Sequence, residues 1–138
     1  MKILVSACLL GENCKYSGGN NLCEKVLEYI KGHDVISVCP EVMGGLPTPR
    51  VPAEIVNGIV TNKENIIVDS QFRKGSELCT QIALENKVDL AILKANSPSC
   101  GFGQIYDGTF TSTKIKGNGI FAQQLSEQGI KIITELDI

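Results

Sequence analysis

Two kinds of hydrophobic pattern alternate along this chain. Lys2 to Ala7 (KILVSA), Asp34 to Val38 (DVISV), Asp89 to Leu93 (DLAIL) and IKIIT near the end are short, nearly unbroken apolar runs rich in β-branched residues. Such runs predict strands buried on both faces. Between them lie segments with helical spacing. In LCEKVLEYIKG, Leu22, Val26, Leu27 and Ile30 form one apolar face, Asn20 and Asn21 are suited to cap it, and Gly32 ends it. Asp69 to Asn86 carries Phe72, Leu78, Ile82 and Ala83 near the same period, and GIFAQQLSEQG predicts a last helix. EIVNGIVTNKENIIV alternates around Asn57-Gly58 and predicts a small β-hairpin. CPEVMGGLPTPRVP is expected to be a long rigid loop, because Pro40, Pro47, Pro49 and Pro52 cannot join a ladder.

Strands alternating with helices predict a three-layer α/β domain with a mostly parallel, Rossmann-like sheet, the hairpin being an insertion. At 138 residues the expectation is one domain spanning 1–138. In such open sheets, ligands bind in the crevice beyond the carboxyl ends of the strands.

Composition narrows the function. Hydrophobic residues make up 43% and charged residues 20%, a soluble balance, and no apolar run approaches the roughly 20 residues of a membrane helix. MKILVSACLLG reads as a first strand rather than a signal peptide, since Gly11, Glu12 and Asn13 follow without a small-residue cleavage site. A cytoplasmic protein is expected. The net charge is −2 and no basic run occurs, which disfavours a grip on long nucleic acid and favours a small substrate.

Six cysteines stand at positions 8, 14, 23, 39, 79 and 100, with no CxxC pair and a single histidine, His33. Zinc-finger spacings are absent. The predicted strands sort these thiols. Cys8 and Cys39 directly follow the first two strands and Cys100 lies a few residues beyond DLAILK, all at one edge of the sheet; Cys14 is in the loop after Cys8, whereas Cys23 and Cys79 fall within predicted helices. Taken singly, each is as readily a small buried hydrophobe. Three thiolates in one crevice would repel one another unless a cation neutralised them, so a metal or cluster is the economical reading. Soft sulfur ligands suit zinc, copper or iron-sulfur centres; three ligands leave a coordination position open, as catalytic sites do, whereas Cys14 as a fourth would make the site structural or sensing. A metal-free transferase with Cys100 as nucleophile is a further alternative. His33 precedes its strand, at the opposite edge, so acid-base work falls to a carboxylate, and Glu41, two residues from Cys39, is the candidate. Gly18 and Gly19, read as leading into the first helix, offer N–H groups to an anion or form only a turn. Arg50 suits a phosphate or a surface carboxylate.

VSACLLGENCKYSGG, VCPEVMGGLPTPRVPAEI and LKANSPSCGFGQIYDGTFTSTKIKGNGIFAQQL together resemble the thiouracil desulfidase family, long catalogued as a domain of unknown function, and the likeness spans nearly the whole chain. The resemblance implies a [4Fe-4S] cluster held by three cysteines, matching Cys8, Cys39 and Cys100, whose remaining iron takes the sulfur of a thiolated pyrimidine base, nucleoside or nucleotide. It implies a catalytic carboxylate at Glu41 and a substrate-contacting serine at Ser97, with Ser99 close beside it. The chain departs from the family at Lys15-Tyr16-Ser17, where Arg-Tyr-Asp is common, and at Asn96, where a charged residue is common. Those departures bear on how Tyr16 and Asn96 meet substrate and leave the three ligands intact.

Overall fold

A computed structural model describes residues 1–138. Strands β1 (Lys2–Ser6), β2 (Asp34–Val38), β5 (Leu90–Leu93) and β8 (Lys131–Thr134) form one sheet in the order β2-β1-β5-β8, every neighbouring pair parallel. Alternation along the inner strands explains the layers. Leu4, Ala91 and Leu93 point to one face, where α3 (Asp69–Glu85) and α4 (Ile120–Glu127) bring Cys79, Ala83, Phe121, Ala122 and Leu125 onto them. Ile3, Val5, Leu90 and Ile92 point to the other face and meet Val26 of α1 (Glu24–Tyr29) together with Leu9. A strand covered on both faces must be apolar at every position, which is why these runs do not alternate.

Strand β2 departs from that expectation. It is one of the two sheet edges, and Asp34, Val35 and Ser37 are exposed. Helix α1 is also shorter than its apolar spacing predicts. It starts at Glu24 with Cys23 at the N-cap position, and the Asn20 side chain instead accepts the Leu22 N–H at 3.0 Å, turning the chain before the helix. Cys23 therefore lies just outside the helix.

The hairpin forms as predicted, β3 (Ala53–Val56) against β4 (Ile59–Asn62), with Asn57 and Gly58 at φ 49° and 81° supplying the left-handed turn. Its apolar face packs through Val60 onto Val68 and Phe72. A second hairpin, β6 (Gln104–Tyr106) with β7 (Lys114–Lys116), lies ahead of the last helix in a stretch where the hydrophobic pattern predicts no strand.

The proline-rich segment is not a loop throughout. Pro40 to Met43 form a short helix, α2, with Pro40 in its first position, where its missing N–H costs no intrahelical bond. Helix α2 lies against α3 backbone to backbone. A Cβ built on Gly75 would sit 1.7 Å from the Pro40 carbonyl oxygen, and one on Gly44 would sit 1.9 Å from that of Gln71. Glycine in mid-helix ordinarily costs about 1 kcal/mol against alanine, so close approach is what it supplies here. We expect Gly75→Ala to lose about 1–3 kcal/mol of stability through overpacking, against its gain in helix propensity. A fall of several degrees in melting temperature checks this; an unchanged or raised value would contradict the close packing.

Candidate active site at the carboxyl end of the sheet

Strand β1 is followed in sequence by β2 on one side and paired with β5 on the other, so the strand order reverses between β1 and β5. A cleft opens beyond that point. The ends of the two strands are tied there, the Lys94 N–H donating to the Ser6 hydroxyl at 3.0 Å. Cys8 sits in a 3-10 turn (Ala7–Leu10) directly after β1, and Cys39 is the residue between β2 and α2. Cys100 is held by the loop after β5.

That loop is fixed at several points. The Ser97 hydroxyl accepts the N–H groups of Ser99 and Cys100 at 3.1 and 3.0 Å. Helix α4 begins on the loop, the N–H groups of Ile120 and Phe121 donating to the carbonyls of Pro98 and Ser99 at 2.9 Å each. These satisfy donors that a helix N-terminus otherwise leaves free. Gly101 permits the fold-back, since a Cβ there would lie 2.6 Å from the Ser97 carbonyl oxygen. Asn96 takes φ 68°, a conformation asparagine tolerates, and bridges to Ile105 of β6.

Cys8, Cys14, Cys39 and Cys100 all line one cavity of about 410 Å³, together with Glu41, Ser97, Ser99, Asn96 and Tyr16. Burial pushes the Cys8 and Cys100 thiols up, Cys100 well above the ordinary range. Cys14 is pushed up to about 12 by burial first, then by the neighbouring Cys39 and Cys8. Without a cation these sulfurs stay protonated, and a buried neutral thiol is a poor nucleophile, which counts against Cys100 acting alone. The donor set is all thiol; no three His, Cys, Asp or Glu groups meet tightly enough for a single metal ion. A cluster of several irons takes its thiolates at separate corners, and a donor set made of thiols around one cavity suits such a group in kind.

Glu41 and Arg50 form a pair that the sequence does not reveal. The Arg50 guanidinium donates to Glu41 at 2.5 Å and also to the Cys14 and Pro47 carbonyls and the Thr48 hydroxyl; its side chain is 6% exposed and that of Glu41 18%. Arg50 does not line the cavity. Both terminal nitrogens are committed, so the phosphate-binding reading of Arg50 gives way to that of an orienting partner for Glu41, and the carboxylate it meets is half-buried rather than on the surface. Gly18 and Gly19 also lie off the cavity. Because α1 begins five residues beyond Gly19, they make a turn, closed by the Gly18 N–H to the Lys15 carbonyl at 2.9 Å, and not an anion site at a helix N-terminus. His33 lies at the far edge beside the chain's amino group, 3.0 Å from it. Cys79, buried in α3, is pushed up to about 12 mainly by desolvation.

Three contributors were missed from sequence. Lys94 lines the cavity, is anchored by Glu135 at 3.0 Å, and its charge favours the Cys8 thiolate. Only its position directly after β5 could have drawn attention to it. Glu54 and Phe110 also line the cavity, and no local pattern joins residues so far apart in the chain.

A Rossmann-like α/β domain that gathers thiols and a paired carboxylate in a cavity at its strand-order switch has the form of a small-molecule site with soft donors suited to a metal centre. The family model described as 2-thiouracil desulfurase matches residues 3–137, and the chain belongs to that family. It is 37% identical to the protein YbbK of Bacillus subtilis (strain 168), described as uncharacterized, over 99% of this chain and 97% of that one. It also resembles the solved structure of a [4Fe-4S]-dependent thiouracil desulfidase, TudS, with a TM-score of 0.92 and 38% identity, covering 99% of this chain and 92% of that one. No helix is long and apolar enough to cross a membrane.

Proposed function

We infer that this protein is an enzyme that removes sulfur from a thiolated pyrimidine, giving the oxo compound and sulfide, with a [4Fe-4S] cluster held by Cys8, Cys39 and Cys100. The observation that carries this reading is that those thiols, one from each of three strand ends, line a single cavity beside Glu41. TudS, at 38% identity, is named for the same cofactor and activity. When bound, such a cluster with one iron free of protein ligands supplies a Lewis acid for the thiocarbonyl sulfur.

The remaining work belongs to the chain. Water replaces sulfur at the ring carbon; its oxygen becomes the carbonyl and its protons leave with sulfide, so no electrons are exchanged. Glu41 takes and returns a proton of that water, and Arg50 holds the carboxylate in one orientation. Ser97 has one hydroxyl proton. Its oxygen lies 3.0 Å from that of Ser99, whose own hydroxyl also reaches Cys100 at 3.8 Å. The Ser97 oxygen already accepts two N–H groups and the Ser99 proton is donated to Cys100, so the Ser97 proton rests on the Ser99 oxygen and turns to the substrate ring on binding; Ser97 faces substrate while Ser99 supports the Cys100 sulfur. Asn96 and Tyr16 wall the same space.

A second reading has its own observation. Cys14 lines the same cavity and its thiol interacts with that of Cys39, as a fourth ligand in a non-enzymatic iron-sulfur or zinc module would require. A panel of 2- and 4-thiouracil, their nucleosides and nucleotides, incubated with anaerobically reconstituted protein, separates the readings. The enzyme releases sulfide and oxo product in equal amounts from at least one of them; a fully loaded protein that releases neither contradicts it.

A further inference from the structure

The segment DGTFTST, residues 107–113, joins β6 to β7 and has no role in the chemistry above. Phe110 is its one large apolar residue. A loop tip of this kind ordinarily carries small polar residues throughout, and here an aromatic ring lies among threonines.

The loop is braced from both sides. On the outside, Thr109, Thr111 and Thr113 form a chain of hydroxyl contacts, 2.6 Å and 2.8 Å apart, begun by the Asp107 carboxylate at 2.6 Å. On the inside, the buried Glu54 of β3 accepts the N–H groups of Gly108 and Phe110 at 2.9 and 3.2 Å on one carboxylate oxygen. Gly108 is pressed onto β3, where a Cβ would lie 2.7 Å from the Ile55 carbonyl oxygen. Phe110 itself has φ 58°. A bulky residue in the left-handed region is costly, about 1–3 kcal/mol, and persists where the surroundings dictate it, often at a ligand clamp. Phe110 lines the cavity that the thiols line, half-buried while Thr109 and Thr111 on either side are exposed.

We propose that Phe110 is a substrate-binding residue whose ring stacks on the planar pyrimidine, and that Glu54 is the positioning residue that holds it there. This rests on the substrate class inferred above. Stacking on an aromatic side chain recognises the flat face of a base whether it carries sulfur or oxygen. Phe110 therefore governs ring affinity and leaves the desulfuration step to Glu41 and the cluster.

The test uses reconstituted holoenzyme with 4-thiouracil as substrate and uracil as a competing ligand. Phe110→Ala is expected to raise KM, and the inhibition constant for uracil, by about 10- to 100-fold, the range that base-aromatic stacking supports, with kcat within about threefold of wild type. Phe110→Tyr restores both constants; Phe110→Leu, which keeps bulk without a ring face, does not. Glu54→Gln replaces a charged acceptor by a neutral one, so it weakens the two N–H bonds, loosens the loop and raises the same constants, and combining it with Phe110→Ala adds little, because both act through one ring. Iron content and melting temperature on each sample show whether the variant is folded and loaded, and amide exchange over residues 107–113 reports loosening in Glu54→Gln. Unchanged KM and uracil inhibition in a loaded Phe110→Ala protein overturn the proposal while leaving the function intact, as does full restoration by leucine. A loaded wild type that turns over no thiolated pyrimidine overturns the functional reading and this proposal together.

Discussion

Glu41→Gln is expected to lower turnover by about 100-fold or more, the scale typical of a general acid-base group, while the protein keeps its iron. Glutamine has nearly the same shape and still presents an oxygen to Arg50, but it cannot take a proton from water. Arg50 remains held by the carbonyls of Cys14 and Pro47 and by the Thr48 hydroxyl, so the loop around the site has other anchors. The guanidinium does lose its counter-charge in a place where its side chain is only 6% exposed. A stability loss of about 1–3 kcal/mol is the expected cost of leaving it less well satisfied. Iron content and single-turnover rate measured on one sample separate the two effects. A full cluster with undiminished turnover would remove Glu41 from the chemistry and place proton transfer on Ser97 or solvent.

The convergence of thiols was legible because parallel topology turns position in sequence into position in space. Any residue directly after a strand lies at the carboxyl edge, so Cys8 and Cys39 needed only correct strands. The strands themselves were legible where both faces are covered, as in β1 and β5. Exposure of β2 was not, because Val35 and Ile36 look alike whether their strand is central or at the edge; pairing partners decide it. Helix α2 escaped because four residues show no period and proline counts against a helix everywhere except at its first turn. The hairpin of β6 and β7 escaped for a related reason: Lys114, Ile115 and Lys116 are all exposed, so no buried face marks the strand. Hardest to see were the pairs that polar groups make across long separations, Glu41 with Arg50 and Glu54 with the Phe110 backbone. A hydrogen bond to a distant loop leaves no periodicity, and only the folded chain brings its two ends together.

Cys100→Ser is expected to abolish cluster binding and, with it, all turnover. Serine fits the space and can keep the backbone bond to Ser97, but its hydroxyl is a hard, weakly acidic group where a soft thiolate is needed. Loss of one of three protein ligands leaves too few to hold a cluster whose remaining iron is exposed. The same substitution at Cys14 has the opposite expected outcome, although both sulfurs line the cavity. A three-ligand enzyme needs Cys14 only as a neighbour, whereas a four-ligand module cannot spare it. The decisive measurement is therefore the iron and labile sulfide content of anaerobically reconstituted Cys14→Ser, set beside Cys100→Ser and the wild type. The three-ligand account predicts that Cys14→Ser keeps the wild-type iron and sulfide while Cys100→Ser falls to background; iron lost from Cys14→Ser to the level of Cys100→Ser would contradict it and make the site a closed, structural one.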